Sequence, residues 1–342
     1  MLTINHTICP ECSIGCGLNV ISKDGIIVGI NPFKNNEINE GKNCKNCTEY
    51  IDNISTMENK TFDYDNVINE LKNKMESTDS EKITILTSGN TDNNDLDNLI
   101  KFADDKGVNL VSYEYEFTKI NPELIASYDE VEKADQIITI GDIYRKNSLI
   151  GRRIIHAKEN DAKTINIYTE TNLTGFNSDE FKQIESFDEL NQVLDSIDFT
   201  ENTIIIINEI SSTQNYEDLI KLIEDKNIKL LPLLQHPNSY SILEKTESLS
   251  KEELANKIED SELIILVNEN PLEYLDDSIL EGKNIISLTQ NGVELGLTVP
   301  VKVWCQKETS FTNSEGLTQN YPDAINDEEN TLKTVSEVLD LI

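Results

Sequence analysis

Eight short apolar runs rich in β-branched residues recur along the chain: "KITILT", "VNLVSY", "ADQIITIG", "AKTINIY", "NTIIIIN", "IKLLPLL", "SELIILVN" and "NIISLT". Between several of them lie helical patterns, "NNDLDNLIKFADDKG", "SLIGRRIIHAKEND", "NYEDLIKLIEDK" and "SKEELANKIED". A strand that is apolar at every position has no solvated face, and a helix with one apolar stripe needs a sheet to cover. Alternation of the two predicts parallel sheets with helices on both faces. The fold class expected is therefore α/β, with two Rossmann-like three-layer lobes whose sheets are mostly parallel. The polar stretch "TETNLTGFNSDEFKQIESFDELNQ" argues for two smaller lobes over one eight-stranded sheet.

The first fifty or so residues break this pattern, being rich in Cys, Gly and Asn and poor in long helices. "TICPECSIGCGLNV" puts three cysteines in ten positions, and "NCKNC" adds Cys44 and Cys47. Two ligand sets compete for a metal. Cys9, Cys12, Cys16 and Cys44, spaced C-x2-C-x3-C-x27-C, suit a [4Fe–4S] cluster, with Gly15 and Gly17 where the backbone must turn tightly around it. Cys9, Cys12, Cys44 and Cys47 form two C-x2-C pairs, the spacing of a zinc ribbon. Spacing alone leaves both open.

At 342 residues the chain can bury several cores. It carries 63 acidic against 29 basic residues, a formal charge of −34. Such a surface repels nucleic acid and anionic membranes. The start is not a signal peptide, and no apolar run approaches the length of a membrane span. Clustered thiols without a secretory signal point to a cytoplasmic protein that uses them for metal or redox work. There is no G-x-G-x-x-G and no P-loop. His6, His156 and His236 are scattered and are expected to be structural, and Cys305 beside Trp304 to be a buried small residue.

The stretch "ICPECSIGCGLNVISKDGIIVGINPFKNNEINEGKNC" closely resembles the N-terminal cluster domain of molybdenum/tungsten bis-pterin oxidoreductases, with formate dehydrogenase alpha subunits of methanogens the nearest. "VEKADQIITIGDIYRKNSLIGRRIIHAKENDAKTINIY" is similar to that family's first pterin-binding lobe, and "LIILVNENP" and "VPVKVWCQKETSFTNSEGLTQ" match later segments. The resemblance implies a [4Fe–4S] cluster on Cys9, Cys12, Cys16 and Cys44. It also implies a discontinuous layout: a cluster module at 1–57, a first lobe from 58–120 and 201–330, a second lobe at 121–200, and a C-terminal helix at 331–342. In it, "KITILT" and "NTIIIIN" share one sheet.

Departures from the family pattern bear on mechanism. The interval holding the family's catalytic Cys or selenocysteine and its His reads "NLVSYEYEFTKINPELIASYDEVEKAD", with neither residue. Asn46 stands where the family has the lysine that bridges cluster and pterin, and Lys45 is expected on the solvated surface. Tyr168, Thr169 and Glu170 replace the Asp-Pro-Arg that contacts a guanine dinucleotide, and Leu317 replaces an arginine. Gly141, Asn147, Gly151, Arg152 and Arg153 keep part of another family stretch, with Asp142 and Arg145 intruding. The two arginines are expected to pair with nearby acids, and Phe311, Thr312, Asn313, Glu315 and Gly316 to preserve a turn. No molybdopterin guanine dinucleotide and no catalytic residue is expected. The function implied is an electron-relay or scaffold subunit of a redox complex, partnered by iron–sulfur or flavin/deazaflavin-linked subunits. The alternatives are a working formate dehydrogenase-type enzyme and a zinc-ribbon assembly protein.

Overall fold

The computed structural model describes residues 2–48, 61–290, 295–325 and 330–342. The cluster module's proposed end at 57 therefore lies outside the described residues.

The chain opens with an antiparallel sheet of β1 (Leu2–Ile8), β2 (Gly17–Lys23) and β3 (Ile26–Pro32). Its inner face packs Ile8, Val20 and Ile27 against Trp304 and Phe311 from the far end of the chain. The Trp304 indole N–H donates to the Ile8 carbonyl at 2.8 Å, which fixes that contact in one orientation.

All eight apolar runs are strands, as the alternation predicts. They are β4 (Ile83–Thr87), β5 (Asn109–Ser112), β6 (Gln136–Ile140), β7 (Lys163–Tyr168), β9 (Thr203–Ile207), β10 (Lys229–Pro232), β12 (Leu263–Val267) and β13 (Asn284–Thr289). Three short edge strands had no such signal: β8 (Glu180–Gln183), β11 (Glu247–Ser248) and β14 (Leu297–Pro300). Two parallel sheets result, in the orders β10-β9-β6-β7-β8 and β11-β5-β4-β12-β13-β14. The four helical patterns form helices Asn93–Lys106, Ser148–Glu159, Thr213–Lys226 and Lys251–Asp260. The first is capped by Asp92, which accepts from the Asn94 and Asp95 amides, and ends on Gly107 at φ 64°. It buries Leu96, Leu99, Phe102 and Ala103.

One expectation fails. Thr203–Ile207 pairs with β6, Ile138 opposite Ile205, and not with the sheet of "KITILT"; Lys229–Pro232 follows it. The sheet that starts at β6 therefore runs on through β10, well beyond residue 200. The reason is physical: all five residues of β9 are buried, so the run fits the centre of any parallel sheet and names no partner. The last helix, Val335–Leu339, lies within the stretch expected for it.

A final hairpin, β15 (Thr309–Thr312) and β16 (Thr318–Tyr321), lies beside β1. It brings the "FTNSEG" turn to the cysteine loop.

Candidate metal centre

β1 ends at Ile8, and the chain doubles back so that β2 begins at Gly17 directly opposite it. The loop between them carries Cys9, Cys12 and Cys16 and is closed by Cys9 N–H donating to the Cys16 carbonyl at 2.7 Å. Gly15 sits at φ 82°, and a Cβ there would lie 2.4 Å from Gln319 Oε1, so this turn requires glycine. Two asparagines carry the chain to the remaining cysteines. Asn39 pairs with the Gly17 peptide in both directions at 3.0 Å, while Asn36 accepts from the Ile38 and Asn39 amides. A Cβ on Gly17 would strike Asn36.

The result is one cavity lined by Cys9, Cys12, Cys16, Cys44 and Cys47, walled by Ile14 and Leu149 and reached by Lys146 and Asn147. Sequence spacing leaves one cysteine idle in either ligand set; the structure brings all five together. Cys47 is 3% exposed and lies within hydrogen-bond reach of Cys9. Its amide also donates to Cys44 Sγ at 3.4 Å. The Cys9–Cys47 thiol contact, with burial, holds the Cys9 thiol well above its ordinary value, and the same contact brings Cys47 below its own. Burial pushes Cys12 up to about 12 and raises Cys16 and Cys44 as well. Buried thiols ionise at neutral pH only when a cation compensates them. This donor set thus fits a soft, positively charged metal group and is costly to ionise without one. Among the described residues, no three or more His, Cys, Asp or Glu side chains close on a point suited to a single metal ion.

Arg153 anchors the module to the lobe behind it. Its guanidinium reaches Asp129 at 3.2 Å and Glu132 at 3.1 Å, and donates to the carbonyls of Glu37 and Ile38. Arg152 pairs with Glu40 at 2.5 Å. Both arginines are therefore engaged by acids, as the sequence suggests. Lys45 is exposed. His6 stacks on Phe33 and bonds Asn19, His156 lies 3.5 Å from Glu132, and Cys305 is fully buried.

The strand order of the five-stranded sheet reverses between β6 and β9, the place where α/β folds usually bind ligands. Here side chains of the chain itself bridge it. Tyr168 donates to Glu209 at 2.9 Å, and Lys146 reaches the same carboxylate at 2.7 Å. Asn208 bonds Asn147 at 2.8 Å and lies over Gly141.

The corresponding point of the six-stranded sheet, past the ends of β4 and β12, holds a cavity of about 120 Å³. It contains His236, which no spacing in the sequence marks as special. The shortened interval after β5 supplies Glu114, which accepts from the Gly89 amide at 2.8 Å and from the Ser239 hydroxyl.

With this geometry in view, comparison with known proteins bears first on the cysteine module. Residues 2–53 match the molybdopterin oxidoreductase Fe4S4 domain. The chain is 30% identical over 194 residues to the F420-dependent formate dehydrogenase 1 subunit alpha of Methanococcus maripaludis, a match covering 48% of this chain and 29% of the relative. It is 31% identical over 212 residues to the F420-dependent formate dehydrogenase subunit alpha of Methanocaldococcus jannaschii, covering 53% and 30%. The matched part is thus under a third of those relatives' length. Acetylene hydratase from Pelobacter acetylenicus shares the fold at TM-score 0.69 and 10% identity, over 98% of this chain and 68% of that one. A chain of the formyltransferase/hydrolase complex of Methylorubrum extorquens shares it at 0.58 and 12%, over 82% and 95%. The structure and these likenesses agree on an α/β fold with mostly parallel sheets behind an N-terminal Fe4S4 domain. No helix among the described residues is long and apolar enough to cross a membrane.

Proposed function

We propose that Cys9, Cys12, Cys16 and Cys44 hold one [4Fe–4S] cluster and that the chain relays electrons within, or scaffolds, a redox complex without a molybdenum or tungsten centre of its own. The convergence of the four thiols, two buried and two half-buried, on one cavity carries this reading. Such a cluster supplies one-electron transfer at a potential set by charge and hydrogen bonds around its sulfurs. The chain's own contribution is to exclude water with Ile14 and Leu149 and to hold the loop rigid. The domain match favours iron and sulfide over zinc.

The absence of a pterin rests on the residues present. The switch point over β6 and β9 is spanned by Tyr168, Glu209 and Lys146, and Glu170 follows in sequence, so a dinucleotide pyrophosphate there would meet carboxylates. No Cys or His occupies the stretch from Asn109 to Asp135 to ligate a metal. The curated relatives are named as alpha subunits, which supports redox subunits as partners. Flavin- or deazaflavin-linked and iron–sulfur subunits are the classes proposed, in the cytoplasm.

One observation favours a second reading. Cys47 touches both Cys9 and Cys44, the contacts a zinc ribbon on Cys9, Cys12, Cys44 and Cys47 would use. Anaerobic electron paramagnetic resonance separates the two. The relay reading expects a signal on dithionite reduction, lost on adding an oxidising dye, and no reduction by formate. A diamagnetic protein containing zinc would replace it with the ribbon, and reduction by formate would restore the enzyme.

A further inference from the structure

The 120 Å³ cavity past β4 and β12 is lined by two carboxylates, several side-chain amides and two aromatic residues. Trp304 and Phe311 form the floor, together with Pro10 from the cysteine loop. Glu269, Glu273 and Asn268 form part of the wall. Asn268 is 9% exposed, sits at φ 53°, and its side-chain carbonyl is buried with no partner. A buried acceptor left without a donor costs free energy unless something arrives to donate to it. The one basic side chain in the lining, His236, already faces Glu114 at 3.5 Å. The lining therefore has spare negative charge and a spare acceptor. It offers an incoming anion no free cation.

We propose that this cavity is a binding site for a small organic cation, an alkylammonium or guanidinium of a few heavy atoms. Glu269 and Glu273 supply the counter-charge, Asn268 accepts a hydrogen bond, and the faces of Trp304 and Phe311 receive the cation's apolar side. Size sets the upper limit, because a dry cavity of ~150 Å³ accommodates benzene. A pterin dinucleotide is several times too large. A bare metal ion does not suit the place, since among the described residues no three His, Cys, Asp or Glu side chains are gathered for one. Formate is an anion and is rejected by the same carboxylates. Burial pushes the Glu269 carboxyl up, against the opposing pull of His236 and of the hydrogen bond that Tyr274 donates to it at 3.0 Å.

The inference goes beyond the relay reading and uses no property of the cluster. Its test is isothermal titration of the anaerobically purified full chain with ethylammonium chloride and with methylguanidinium chloride, against sodium chloride and sodium formate. The expected result is saturable one-to-one binding of at least one organic cation and none of the salts. The emission of Trp304, the single tryptophan of the chain, should change in step. Glu269→Gln should weaken binding about tenfold or more, the loss of one charge-assisted hydrogen bond. Glu273→Gln, at an exposed rim position, should weaken it as well and carries the test if the buried variant does not fold. Absence of saturable heat with both cations, or full affinity in the folded Glu variants, would overturn the site. Cation binding to a chain found to hold zinc would leave it standing and sink only the relay.

Discussion

Ser314 donates its hydroxyl to the Ser13 hydroxyl at 2.6 Å, joining residues 301 positions apart in sequence. Ser13 in turn donates its hydroxyl to the Leu234 carbonyl at 2.7 Å, and the Ser314 amide donates to the Ser13 carbonyl at 2.8 Å. Asn313 reaches the Ile14 carbonyl, and so does Tyr128 from a helix start, at 3.0 Å. The "FTNSEG" turn is thus a latch on the cysteine loop, which gives its retention a structural purpose. Ser314→Ala and Tyr128→Phe should each cost about 1 kcal/mol of local stability, the net worth of one buried hydrogen bond. The measurement is the rate of iron release to a chelator, which should rise in both variants while overall secondary structure is kept.

The ligand assignment separates cleanly by substitution. Cys16→Ser should strip most of the iron, because in the proposed set it is one of four ligands. Cys47→Ser should leave iron nearly intact and remove only a neighbour of Cys9. Metal analysis of the two purified variants decides, and the reverse pattern would transfer the site to the ribbon set.

Gly15→Ala tests the turn rather than the ligands. The new methyl would meet Gln319 Oε1 at 2.4 Å in a left-handed backbone region, so something must shift. Metal content should fall although every cysteine remains.

Lys307 is 7% exposed and ion-paired with both Asp92 and Asp95. Asp95 also accepts from the Ser336 amide and hydroxyl, so this cluster ties the last helix to helix Asn93–Lys106. Burial works against the lysine's charge, but the two aspartates outweigh it and hold the ammonium above its ordinary range. Lys307→Met leaves two buried carboxylates uncompensated and should cost ~3–5 kcal/mol in urea unfolding, as removing one partner of a buried pair does.

Stability should fall as pH rises above neutrality. Burial works against the charge on His236, yet Glu114, then Glu269 and Glu273, raise it above its ordinary 6.5. Glu269 is also raised, by burial. Both groups hold protons more tightly folded than unfolded, so each contribution is full below the unfolded value and lost through the folded one. The urea midpoint should drop as pH rises through and above the ordinary 6.5 of His236, and His236→Gln should flatten the slope.

Much of this fold is legible because each apolar run is β-branched and bounded by polar turns, so β4–β7, β9, β10, β12 and β13 announce themselves. What the runs do not carry is partnership. "NTIIIIN" is apolar throughout, and only packing assigns it to β6 instead of β4. Edge strands such as Glu180–Gln183 are half-polar and short, and lack a periodic signal. The cysteine loop is legible from spacing, but the place of Cys47 beside Cys9 depends on how the Asn36–Asn39 turn returns the chain. The partner of His236 is not legible, because Glu114 is 122 positions away and the two meet only through tertiary packing.

The most direct test of the central claim is elemental and cofactor analysis of one anaerobically purified sample: iron, acid-labile sulfide, zinc, molybdenum, tungsten and pterin together. The account predicts about four iron and about four sulfide per chain, the content of one [4Fe–4S] cluster, with no stoichiometric zinc, molybdenum, tungsten or pterin. Stoichiometric pterin with molybdenum or tungsten, or zinc in place of iron, would contradict it.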